Sequence, residues 1–184
     1  MTLKRGFKAE AERIAERLRQ EIGLAKDDAI DITHLAKRMN VSIVSADELV
    51  DIERLEELER IQTFAFSACT FHIDGRDIIV TNPIRLPARR NSDVAHELAH
   101  LISKHDLTEI RIVAGMPFRT CRPDQEEEAT TLGGTLLLPR PLLLKAAHAG
   151  LDVAGIARRF QVTDEMARYR YNSTGIGRQV ADRK

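Results

Sequence analysis

The stretch His96-Glu97-Leu98-Ala99-His100 constrains this chain more than any other. On an α-helix, residues four apart project from one face, so two imidazoles at this spacing reach the same point. The glutamate stands three residues before the second histidine, close enough to hold a water molecule at that point. Two histidines that hold a metal ion, with a glutamate that takes a proton from water, are the working parts of a zinc peptidase. The pattern works only on a helix, and it needs further groups from elsewhere in the chain.

The flanking residues supply the helix. Val94, Leu98 and Leu101 recur at i, i+4 and i+7, and Ala95 and Ile102 widen the apolar stripe. Asn91, Ser92 and Asp93 offer N-caps just upstream. A partly buried helix beginning near these three residues is expected.

A site of this class takes three protein ligands and leaves a fourth position to water. The next acidic cluster is Arg122-Pro123-Asp124-Gln125-Glu126-Glu127-Glu128-Ala129. Pro123 with acids in the first turn marks a helix N-terminus, where carboxylates also complement the helix dipole. Helical phase puts Glu126 on a face with Ala129, Gly133 and Leu136-Leu137, whose small members allow close packing against the histidine helix. Glu128 shares a face with Leu132 and is the next candidate, whereas Glu127 points elsewhere. Phase alone leaves Glu126 ahead of Glu128 without deciding between them.

The remaining pattern suits one domain with a small appendage. Helices are expected over Lys8–Ile22, Asp31–Met39 and Asp47–Arg60, the last with Leu49, Ile52, Leu55 and Leu58 turned inward. Strands are expected over Val41–Val44, Gln62–Phe66, Cys69–Ile73 and Asp77–Thr81, with Asp74-Gly75 as a hairpin turn. Asn82-Pro83 and Leu86-Pro87 end the last strand. The outcome is an α+β fold: a small antiparallel sheet beside the histidine helix, with one edge able to take an extended peptide as an added strand.

With 184 residues, 43% apolar, the chain can bury a substantial core, and its balanced charge gives no general attraction to nucleic acid or anionic membrane. Aromatics are scarce, so the core is aliphatic. Met1–Lys8 leads into a charged helix rather than an apolar run, and no run reaches membrane-spanning length. Cys69 and Cys121 lack C-x-x-C spacing and read as reduced thiols. A cytoplasmic protein is expected.

The segments Ala95-His96-Glu97-Leu98-Ala99-His100, Glu126-Glu127-Glu128-Ala129 and Leu136-Leu137-Leu138-Pro139 resemble the ImmA/IrrE family of metallopeptidases. Its pattern is A-H-E-L-x-H followed by E-x-E-A-N-x-F-A-x-x-L-L-M-P. Asp77–Asn82, Arg89-Arg90 and Leu35-Ala36 also resemble it, and the likeness spans most of residues 8–172. Thr130 stands where the family has Asn, and Leu132-Gly133 replace its Phe-Ala. The resemblance implies a minimal zinc-peptidase (gluzincin-like) fold, metal ligands His96, His100 and Glu126, and Glu97 as catalytic base. It also implies Zn²⁺ as the ion, with manganese or iron suited to the same donors. The implied substrate is a helix-turn-helix transcriptional repressor, cleaved to relieve repression in a stress response or in mobile-element control. Donors to the carbonyl oxygen are sought among Tyr169, Tyr171, Arg89, Arg90 and the other histidines; His34, His72, His105 and His148 read as surface or satisfied residues.

The peptidase domain is expected over residues 1–145, with 146–184 a helical segment packed on it or appended to it. Asp152–Phe160, a turn at Gln161-Val162, and a helix capped by Thr163 resemble a helix-turn-helix. From Leu151 to Lys184 seven Lys and Arg face four acids. The alternative is therefore a DNA-binding or protein-binding regulator without peptidase activity, acting through residues 152–172. The two acids opening its second helix, Asp164 and Glu165, oppose that alternative.

Overall fold

The computed structural model describes residues 3–63, 65–105, 110–113, 116–119 and 122–181. Helix α1 (Phe7–Glu21) buries Phe7, Ala11 and Ala15. Helix α2 (Ile32–Arg38) starts at Asp31, whose carboxylate accepts the Thr33 N–H at 2.9 Å. The Thr33 hydroxyl also donates to it, holding this carboxyl below the ordinary aspartate range. Strand β1 (Val41–Ser45) follows.

Residues 46–61 depart from the expected single helix. A 3-10 turn (Ala46–Glu48) is closed by a capping box, in which the Ser45 N–H donates to Glu48 Oε1 at 3.0 Å. The chain breaks at Asp51, and α3 (Ile52–Ile61) begins anew. Of the four residues expected inward only Leu55 is buried; Leu49 is 62% exposed. The reason is contact area. A short helix across one sheet corner reaches it with a single residue, and Leu55 meets Ala46 and Val80 there.

The strand expected over Gln62–Phe66 is absent among the described residues of that stretch. A backbone turn from the Ala65 N–H to the Gln62 carbonyl at 3.0 Å bends it instead, and Asn82 Nδ2 and an Arg85 guanidinium N–H donate to the Phe66 carbonyl at 2.9 and 3.1 Å. Arg85 in turn grips Glu59 of α3 through two contacts of 2.8 and 2.6 Å.

The hairpin forms as expected. Strands β2 (Ala68–Ile73) and β3 (Arg76–Thr81) pair antiparallel. Asp74 (φ 50°) and Gly75 (φ 75°) form the turn, whose left-handed residues match the strand twist. Strand β1 joins β3 in parallel, from Val41 opposite Asp77 to Ser45 opposite Thr81. The order is β1-β3-β2, with β2 at an edge, and the parallel β1–β3 pairing makes the sheet mixed where an antiparallel one was expected.

Helix α4 (Pro87–Ile102) begins a turn before the expected caps. Pro87 sits at the first helical turn, where its fixed φ and missing N–H cost nothing. Asn91, Ser92 and Asp93 therefore lie inside the helix. A second, two-stranded antiparallel sheet, β4 (Ile110–Val113) with β5 (Met116–Arg119), was not expected from the sequence. Five helices complete the chain: α5 (Pro123–Leu137), α6 (Arg140–His148), α7 (Val153–Phe160), α8 (Asp164–Ser173) and α9 (Ile176–Ala181).

Helices α4 and α5 form the centre of the core, where Ala95, Leu98 and Ala99 meet Ala129, Leu132 and Leu136, all fully buried. The approach is closest at Gly133, where an added Cβ would stand 2.9 Å from the Ala95 carbonyl oxygen. Ile156, Ala157, Val162, Ala167 and Ile176 of the C-terminal helices belong to the same apolar cluster. Buried Arg170 of α8 donates to the Leu138 carbonyl at 3.0 Å and to Glu12 of α1 at 2.6 Å. No described helix is long and apolar enough to cross a membrane.

Candidate metal centre and cleft

One turn of α4 separates His96 from His100, and the helix delivers both imidazoles to one point: their Nε2 atoms are 3.0 Å apart. Glu126, in the first turn of α5, meets them, with Oε2 3.1 Å from His96 Nε2 and Oε1 3.5 Å from His100 Nε2. The three residues present one ligand atom each, all within 4.8 Å of one another, and are half-buried. Two imidazoles and a carboxylate converging at the rim of a cleft are the donor set of an open zinc site, so these residues fit a divalent metal.

The close approach of the two helices explains why Glu126 reaches the histidines. Gly133 lies two turns beyond Glu126 on the same face, directly against the backbone of Ala95 and His96. Any side chain there would push the α5 face away from α4.

Glu97 is 4% exposed and lines the cleft. The Thr70 hydroxyl of edge strand β2 donates to Glu97 Oε2 at 2.6 Å, fixing the carboxylate. Sequence reading missed Thr70, although its inward register opposite Ile79 follows from strand alternation once the hairpin is in place. One turn back on α4, Asp93 accepts from Arg89 Nε at 2.8 Å. Burial pushes the Asp93 carboxyl above the ordinary aspartate range, and Arg89 opposes the shift.

The cleft has a volume of about 670 Å³. Residues Ala65–Cys69 wall one side; Thr163, Glu165, Met166 and Tyr169 wall the other. The C-terminal helices therefore border the site. Among the donors sought in the sequence, Arg89 and Tyr169 line the cleft, with the Tyr169 hydroxyl 3.0 Å from Thr131 Oγ1. Tyr171 packs against the core instead.

Three of the other histidines lie on the surface. His34 and His148 are exposed, and His72, exposed near the turn end of the hairpin, pairs with Asp77 at 2.8 Å. His105 is not on the surface but is satisfied by partners, the other of the two expected alternatives. Its side chain is 5% exposed, with Nδ1 3.0 Å from His100 Nδ1 and Nε2 3.1 Å from Glu128 Oε2. The two glutamates that phase left as rivals thus occupy different places: Glu126 meets the histidine Nε2 atoms, Glu128 sits behind them. Cys69 lines the cleft as a thiol outside any disulfide, its Sγ donating to the Thr70 carbonyl at 4.0 Å; Cys121 lies outside the described residues.

One helix thus presents two histidines and an intervening glutamate, and a glutamate from a second helix meets them, a group that could hold a metal ion. Residues 57–172, more than half of the chain, match the Peptidase M78 family model, the IrrE N-terminal-like domain, and the chain belongs to that family. A Mycobacterium tuberculosis transcriptional regulator of known structure has a similar fold, with a TM-score of 0.57 at 19% identity. The likeness covers 88% of this chain and 46% of the regulator, so the chain spans about half that protein's length. No curated protein matches the chain.

Proposed function

We propose that this protein is a zinc-dependent endopeptidase whose substrate is a helix-turn-helix transcriptional repressor. The convergence of His96, His100 and Glu126 beside buried Glu97, at the rim of an open cleft, carries this reading. The likeness to the ImmA/IrrE peptidases supports the substrate, and the structural neighbour, a transcriptional regulator, agrees with a role in transcription control.

His96 and His100 would hold the ion through Nε2, and Glu126 through its carboxylate. Bound there, Zn²⁺ supplies Lewis acidity and lowers the pKa of a coordinated water toward about 7; Mn²⁺ suits the same donors. Glu97 takes the proton of the attacking water and passes it to the leaving amine, a contribution of roughly 10²–10⁴-fold. Thr70 holds Glu97 Oε2, so the base does not swing into the cleft as substrate enters. Arg89 and Tyr169 line the cleft and can donate hydrogen bonds to the carbonyl oxygen as it gains charge. Strand β2 stands at the edge of the sheet, where an extended peptide can add as a further strand, and the cleft volume suits a few residues of it. On this reading residues 1–145 carry the chemistry, the C-terminal segment 146–184 adds Thr163, Glu165, Met166 and Tyr169 to the cleft wall, and the protein works in the cytoplasm.

The test mixes zinc-loaded protein with purified helix-turn-helix repressors of the same organism and follows cleavage by mass spectrometry. A single cut that disappears with chelator and in Glu97→Gln, with zinc affinity retained in that variant, is expected. Cleavage by Glu97→Gln at the wild-type rate would refute the assigned base. Salt-dependent DNA affinity with no cleavage would favour a DNA-binding regulator instead.

A further inference from the structure

Helix α4 ends in a turn that brings His105 back onto His100. Lys104 takes a left-handed conformation (φ 53°), the His105 N–H bonds the His100 carbonyl at 3.0 Å, and the Lys104 N–H bonds that of Leu101 at 3.1 Å. This is a Schellman termination, which normally brings an apolar side chain beyond the helix against one in its last turn. Here both positions are histidines. Their rings meet edge to face at 5.0 Å between centroids, with Nδ1 facing Nδ1 at 3.0 Å. On its far side His105 Nε2 faces Glu128 Oε2 at 3.1 Å.

We infer that Glu128 and His105 form a positioning relay for His100, an inference that rests on the metal-site reading above. Hydrogen-bond roles along the chain follow from its two ends. An ionised carboxylate only accepts, so His105 Nε2 carries the proton and His105 Nδ1 is an acceptor. His100 Nδ1 must then donate, which leaves His100 Nε2 with its lone pair toward His96 and Glu126. That is the tautomer a ligand at Nε2 requires. Each ring nitrogen has one role, and none conflicts with its neighbour. Glu126 and Glu128, two residues apart on α5, thus act at opposite ends of one assembly. The first takes the ion and the second orients the imidazole that shares it. The same turn that stops the helix sets the ligand.

The experiment titrates Zn²⁺ alone into the full-length protein against a chromophoric chelator, and reads imidazole ¹⁵N–¹H couplings in the zinc-loaded state. Outer partners of a ligating histidine are worth 10–100-fold in metal affinity. His105→Phe, which keeps the ring and removes both nitrogens, is expected to bind zinc at least about tenfold more weakly, and Glu128→Ala to weaken binding in the same direction. In wild type the relay requires Nδ1–H on His100 and Nε2–H on His105. A merely structural role for His105 would lower metal-free thermal stability and leave that assignment unconstrained. Any other pair of tautomers overturns the relay, and so does a loss below tenfold in folded His105→Phe. If His105→Phe does not fold, Glu128→Ala with wild-type affinity overturns it. Absence of saturable zinc binding in wild type, or binding that survives His96→Ala, would instead refute the metal-site reading.

Discussion

Gly133→Ala separates helix packing from helix propensity. In a helix interior, alanine is favoured over glycine by about 1 kcal/mol, so propensity alone predicts a more stable protein. The surroundings oppose this. The new Cβ would stand 2.9 Å from the Ala95 carbonyl oxygen and 3.0 Å from the His96 nitrogen. Both atoms are backbone, so no rotamer change relieves the contact, and α5 must move away from α4 by about half an ångström to restore ordinary van der Waals distance. That movement loosens Ala95, Leu98, Ala129 and Leu132, which are fully buried. Overpacking of this kind costs about 1–3 kcal/mol, and immovable neighbours place the cost in the upper part of the range. The net change is a destabilisation of about 1–2 kcal/mol, or a fall in Tm of roughly 2–8 °C.

The adjacent glycine is the control. A Cβ at Gly134 would meet the Met166 sulfur at 2.6 Å, on a flexible side chain that can swing away, and Arg170 Cδ at 3.0 Å, where the stem of a side chain held at its guanidinium has to give only slightly. Gly134→Ala should therefore be neutral or mildly stabilising. Gly133→Ala should also weaken zinc binding, because Glu126 moves with its helix, whereas Gly134→Ala should not. Thermal unfolding of the metal-free proteins and a zinc competition titration measure both. A Gly133→Ala protein at least as stable as Gly134→Ala would refute the claim that backbone contact at Gly133 sets the helix separation.

Thr70→Val removes the donor to Glu97 while keeping shape; a lost hydrogen bond to a charged group is worth about 1.5–3 kcal/mol, so kcat should fall tenfold or more with zinc affinity unchanged. An equal loss of zinc affinity would contradict the assigned role. Arg170→Ala leaves the Leu138 carbonyl and Glu12 without their buried partner and should cost about 3 kcal/mol in denaturant unfolding, the low end for a broken buried pair because Glu12 stays partly hydrated. Asp31→Ala removes the α2 cap and should cost about 1 kcal/mol at neutral pH. Asp31 has its pKa lowered in the folded state, chiefly by the Thr33 hydroxyl. Its contribution is therefore complete above the unfolded value of 3.8 and is lost as pH falls through the folded one. The difference in Tm between wild type and Asp31→Ala should close in strongly acidic solution.

Local rules made much of this protein legible. The 3.6-residue period around His96 and His100 predicts the helix that holds them, and Asp74-Gly75 predicts the hairpin, because both are properties of a few consecutive residues. Helical phase put Glu126 on the face with Gly133, and the small residues there pack as that face suggested. The errors have physical causes too. Leu49, Ile52 and Leu58 follow a helical period, yet periodicity does not say whether a partner surface is large enough to cover them. Gln62–Phe66 has strand composition, but Asn82 and Arg85, from further along the chain, take up the backbone a strand would pair.

The sequence by itself determined that a histidine pair with a glutamate between them would stand on one face of a helix, and that a second helix would open with three glutamates nearby. Which glutamate meets the histidines depended on how α4 and α5 cross, set by the contact of Gly133 with the Ala95 backbone. The place of His105 depended on a left-handed turn at Lys104, where no glycine signals it. The place of Thr70 beside Glu97 depended on a hairpin packed across α4. Each is a contact between segments distant in sequence or turned back by an unmarked residue, and such contacts are fixed by packing and chain reversal, to which the spacing of residues along the chain is blind.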